Sequence, residues 1–149
     1  MHDLPPPPPP GPVDVRPPRA GELTNGWRIV TACTWIAVIV ALAAVWNTSV
    51  QLGLSTWWLG ARAEPRPLIL RLLPFVAPTI MVLATFNNVR WVAWWGMAAA
   101  AVTATVGLGD LRRVWELAVV ELVIAGLAFL VAAASLTGTF RTVATEPTS

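Results

Sequence analysis

The chain has 149 residues, 56% of them hydrophobic and 12% charged, with nine tryptophans and a formal net charge of +2. This composition is too apolar for a soluble domain of that length and makes a membrane the expected environment. It leaves no room for a separate soluble domain, which needs about 50 residues or more, and the small net charge excludes nucleic acid as a partner.

Residues 1–26 read as a disordered proline-rich tail, with the unbroken run Pro5 to Pro10 followed by Pro12 and by Arg16-Pro17-Pro18-Arg19. Consecutive prolines lack N–H donors and favour polyproline II, so the run forms a rod of about 19 Å, a spacer or a ligand for an aromatic groove. The first span is expected over 27–50. Trp27 and Trp46 lie about 28 Å apart along it, one indole near each interface. Ala37, Ala41, Ala44 and Thr48 recur every three or four residues and form a ridge on which another helix can approach closely.

The connection from Gln51 to Pro67 holds Trp57-Trp58, expected to anchor in the headgroup region. A second span is expected over 68–86, with Arg71 one turn inside its start and with Pro74 and Pro78 four residues apart. Each proline removes a backbone hydrogen bond and crowds the preceding turn, so the two predict a helix kink. Asn87-Asn88 is short enough to make the second and third spans an antiparallel hairpin. The third span is expected over 89–108, with a second small-residue ridge at Gly96, Ala100, Thr103 and Gly107. Gly109 to Arg113 turns the chain into a fourth span, expected over 114–136, and residues 137–149 read as a second disordered tail. The fold class is therefore an all-α integral membrane protein whose transmembrane domain, 27–136, is a compact bundle of four helices.

Four spans put both termini on one side of the bilayer. Counting Arg16, Arg19, Arg28, Arg90 and Arg141 against Arg62, Arg66, Arg71, Arg112 and Arg113 gives a tie, so the positive-inside rule does not choose an orientation. A proline-rich tail ahead of Arg28 reads as a retained segment, which favours cytoplasmic termini. All ten basic residues are arginine, lysine and tyrosine are absent, and alanine, proline, valine and glycine abound. These are the residues of GC-rich codons and point to the plasma membrane of a high-GC bacterium, an actinobacterium.

The candidate intramembrane charge site comprises Glu121, Arg71 and Glu116, because an ionisable group at a helix centre costs roughly 3 kcal/mol on insertion scales. Glu116 lies three and four residues from Arg113 and Arg112, a spacing that suits a local ion pair. Glu121 lies two turns in, and its expected partner is Arg71, which enters from the same side.

The one cysteine, Cys33, has no disulfide partner, and the one histidine, His2, lies in the tail, so no haem, metal or other cofactor is expected. No nucleophile with a base and no phosphate-binding glycine loop is evident, and an enzyme is not expected. The expected function is that of a non-catalytic multi-pass protein, an accessory or assembly subunit of a larger bacterial membrane complex. Its expected partners are the lipid bilayer and other membrane proteins or further copies of itself. The alternative is a small homo-oligomeric transporter or channel that uses Glu121.

Overall fold

The computed structural model describes residues 19–140 except Arg62. The proline run, the arginines at 16 and 141 and most of the expected C-terminal tail lie outside the described residues. Four helices account for most of the rest: α1 Asn25–Leu52, α2 Leu68–Phe86, α3 Val92–Asp110 and α4 Trp115–Ser135, the last followed by a single 3-10 turn, Leu136–Gly138. All four are long and apolar enough to cross a membrane.

The helix ends follow from local chemistry. Gly53 takes the left-handed conformation (φ 68°) after α1, and the Gly53 and Leu54 amides both donate to the Ser49 carbonyl. Ser49 strengthens this cap by donating its hydroxyl to the Leu54 carbonyl at 2.8 Å. The α2–α3 turn is longer than the asparagine pair alone, because Asn88 (φ 51°) and Trp91 (φ 62°) are both left-handed and delay α3 to Val92. Through Pro74 and Pro78, both buried, α2 runs without a break.

The helices form a closed ring in which α1 packs on α2 and α4, and α3 packs on α2 and α4. The α3–α4 pair is the most extensive. Its closeness comes from the α3 ridge: Gly96, Ala100, Thr103 and Gly107 are all buried. A Cβ on Gly96 would lie 3.0 Å from that of Ala132, and one on Gly107 would lie 3.0 Å from the Ala118 carbonyl oxygen. The α1 ridge behaves differently. Ala37, Ala44 and Thr48 are exposed and Ala41 half-buried, whereas Thr31, Trp35, Val38, Leu42, Val45 and Ser49 face the core.

One end of the bundle carries both ends of the described chain, residues 19–24 and 138–140. Leu23 and Thr139 pair as an antiparallel bridge, and Gly21, Thr24 and Phe140 complete a short ribbon through bonds of 2.9 to 3.0 Å between residues 21–24 and 138–140. The ribbon is fastened to the α2–α3 turn, since the Trp91 amide donates to the Gly21 carbonyl and Arg90 Nε to that of Ala20. Residues 19–24, read from the sequence as part of the disordered tail, are therefore structured, and Leu23 joins the core. Gly138 admits no side chain, because its Cβ would fall inside the Trp27 ring.

Unlike a soluble bundle, this one is apolar outside as well as in its core, and its interior also takes in polar side chains. Ile29, Val40, Ile69, Ile80, Leu83, Leu127 and Leu130 are exposed, while Thr31, Ser49, Thr85, Thr103, Asp110, Glu121 and Ser135 are buried. An apolar exterior around a polar-bearing interior is what hydrocarbon solvent favours.

Candidate functional site

The site lies at the end of the bundle opposite the termini, where the α1–α2 connection folds back into the helices. Here Gly60 (φ 80°) is bridged to Pro65 and the Arg66 amide donates to the Leu59 carbonyl, so that residues 59–61 and 64–66 pair as the two arms of a tight hairpin. A Cβ on Gly60 would lie 2.8 Å from the Glu64 carbonyl oxygen, so both its conformation and its space require glycine. Just before the hairpin, Thr56 accepts the Leu59 amide on its hydroxyl oxygen at 3.3 Å and rounds the chain into one turn.

That turn drives Trp57 and Trp58 into the bundle. Trp58 and Leu59 are core residues beside Val45, Val106, Val114 and Leu117. Full burial takes Trp58 away from the headgroup anchoring expected of the pair, while Trp57 is half-buried. Trp57 rests its indole on Gly109, where a Cβ would lie 2.5 Å from Nε1, and donates that N–H to the Val106 carbonyl at 3.0 Å. Its backbone amide donates to Asp110 Oδ1 at 2.7 Å. Trp58 donates its indole N–H to Glu121 Oε1 at 3.2 Å.

Three rings surround this bond. Trp58 meets Trp46 of α1 edge to face at 5.8 Å and Phe75 of α2 at 6.2 Å, and Trp46 lies 6.0 Å from Phe75. Arg71 places its guanidinium 4.6 Å above the Trp46 ring, a cation–π contact. The expected Arg71–Glu121 ion pair is not formed among the described residues; the two side chains share the cluster but are joined through Trp46 and Trp58. The physical reason is that an indole N–H delivers a donor to Glu121 without bringing a second charge out of water.

Glu121 and Asp110 are both fully buried, and they interact electrostatically. Each has one oxygen without a partner, Glu121 Oε2 and Asp110 Oδ2, and Arg71 Nε is likewise buried and unpartnered. Free acceptors in a buried place are costly, and they give the cluster the means to hold a proton or a hydrogen-bond donor. Among the described residues no three of His, Cys, Asp and Glu stand close enough to hold a metal ion.

Glu116 stands apart. It is exposed on the first turn of α4, where the helix dipole favours a negative charge, and forms no ion pair with Arg112 or Arg113 among the described residues. Pro74 and Pro78 lie on the buried side of α2, near the cluster but outside its bonds. Asp110 was not among the sequence candidates, because Gly109 to Arg113 reads as a turn. A signal existed: an acid at the C-terminal end of a helix opposes the helix dipole and needs another reason to be there, here the Trp57 amide. No family model, curated protein or solved structure matches the chain.

Proposed function

We propose that this chain is an integral protein of a bacterial plasma membrane that works by binding another membrane protein, as an accessory or assembly subunit. The observation that carries the reading is the outward direction of the α1 ridge. Ala37, Ala41, Ala44 and Thr48 have the spacing that lets helix backbones meet closely, yet among the described residues Ala37, Ala44 and Thr48 are exposed and Ala41 is only half-buried, unlike the equivalent ridge of α3. The proposed orientation has the terminal ribbon in the cytoplasm.

A second reading has its own support. Buried carboxylates with unpartnered oxygens at Glu121 and Asp110 suit a homo-oligomeric transporter or channel in which this pair carries protons. A single copy of four helices is too few to enclose much of a pathway, so that version requires self-association.

Native sizing of a tagged copy, extracted gently at native expression, separates the two. Migration in a stoichiometric complex with another membrane protein, lost on Ala44→Leu while the melting temperature of the purified chain is unchanged, is the expected result. Recovery as a discrete oligomer of this chain alone moves the weight to transport.

A further inference from the structure

Between α2 and α3 on the outer surface runs a groove of about 500 Å³, walled almost entirely by carbon. It exists because Ala77 and Ala84 of α2 face Ala98 and Ala99 of α3, four small side chains where the α3–α4 pair has backbone contact instead. Ile80, Trp95 and Val102 form its rims. A second groove of about 340 Å³ shares Ala77, Ile80 and Val102 and prolongs it toward Pro74 and Trp57. From Pro74 to Ala84 the groove runs about 15 Å along α2, the depth of one leaflet of a hydrocarbon core of about 30 Å.

Its occupant must be apolar, because the wall offers water almost nothing to bond, and an empty groove forfeits dispersion contacts along its length. It must also be slender. A helix of about 10 Å diameter and the same length has a volume of roughly 1,200 Å³ and could lay only part of its surface in the groove, whereas one extended chain lies in it along its length. An acyl chain fits both limits.

The groove ends at Val89 on the side of the termini, and the next residue is Arg90, exposed and fixed there by its bond to the Ala20 carbonyl. Arg28 reaches the same turn, donating to Asn88 Oδ1. Among the described residues at this end, Glu22 is the single acid against Arg19, Arg28 and Arg90. Two guanidinium groups at the mouth of an apolar groove match a lipid with a phosphate at one end of its chain. We propose that the α2–α3 groove holds one acyl chain of an anionic phospholipid from the leaflet on the terminal side, with Arg28 and Arg90 on its phosphate. This rests on the membrane reading above.

The test is photo-cross-linking of the full chain in phosphatidylcholine vesicles containing phosphatidylglycerol with a photoreactive acyl chain, with adducts mapped by mass spectrometry. Adducts concentrated severalfold on 77–102 over the exposed faces of α1 and α4 are expected. Filling the groove by Ala99→Leu removes that enrichment. Arg28→Gln with Arg90→Gln, which leaves the groove walls intact, brings phosphatidylglycerol labelling down to that of a photoreactive phosphatidylcholine. Even labelling of all outer faces overturns the site and leaves membrane residence standing, whereas absence of helix adducts overturns both. Cross-links from one chain to another through the groove overturn the lipid as its occupant in favour of a second copy.

Discussion

Removing the charge of Glu121 while keeping its shape separates two accounts of why a carboxylate sits inside this bundle. In Glu121→Gln the amide oxygen still accepts the Trp58 indole N–H, and Arg71 keeps its place over Trp46. The expected result is a melting temperature in detergent, followed by helical circular dichroism, that is unchanged or raised. Trp58→Phe keeps most of the ring packing but strips Glu121 Oε1 of its donor, and is expected to cost about 1–3 kcal/mol. If Glu121→Gln is the more damaging of the two, a direct ion pair holds the residue and the Trp58 account fails. The sequence marks Glu121 and Arg71 through the cost of charge in an apolar run. It does not mark Trp58, because an indole with one polar atom suits an interface and a buried hydrogen bond equally well; only the Thr56 turn decides between them.

At the level of the helices, two glycines make opposite demands. Gly107 has the Ala118 carbonyl oxygen and Leu122 at 3.0 Å and Glu121 Cβ at 3.1 Å from where its own Cβ would be, while Gly126 has nothing within 4 Å. Gly107→Ala is expected to prise α3 from α4 at a cost of about 1–3 kcal/mol. Gly126→Ala is expected to be neutral or to stabilise by up to about 1 kcal/mol through helix propensity. Paired thermal melts check both, and equal effects would mean that the α3–α4 approach does not depend on the ridge. The four helices and their small-residue ridges are legible from hydropathy and spacing. Which ridge turns inward is not, because α1 and α3 carry the same steps of four, three and four, and the choice depends on what each finds opposite it. The left-handed turn at Trp91 was equally hidden, since a tryptophan gives no sign of that conformation.

For the molecule as a whole, the closed ring fixes which parts share a side. The ribbon, the α2–α3 turn and the end of α4 lie together, and the hairpin at residues 59–66 lies opposite. With Cys33 replaced by alanine, since it is exposed on α1, single cysteines are introduced by Asn25→Cys and Ala63→Cys and treated with an impermeant thiol reagent on intact cells. Labelling of the second and protection of the first is expected from cytoplasmic termini. The reverse pattern inverts the orientation, and labelling of both from outside means that α1, the one helix between them, does not cross the membrane. The tie among the arginines left this question open at the level of sequence, and the arrangement of the helices narrows it to one binary measurement.

The ribbon that joins Leu23 to Thr139 also sets a timetable for biogenesis. One half precedes α1 and the other follows α4, so the ring cannot close until all four helices have been made. Until then the buried face of α1, with Thr31 and Ser49, lacks the α4 side of the ring. Before α4 is made the nascent chain is an open intermediate, the kind of species on which insertion machinery and membrane proteases act. Truncations near the C-terminus should therefore be cleared from the cell at rates far beyond what the loss of a few contacts in the finished bundle would produce.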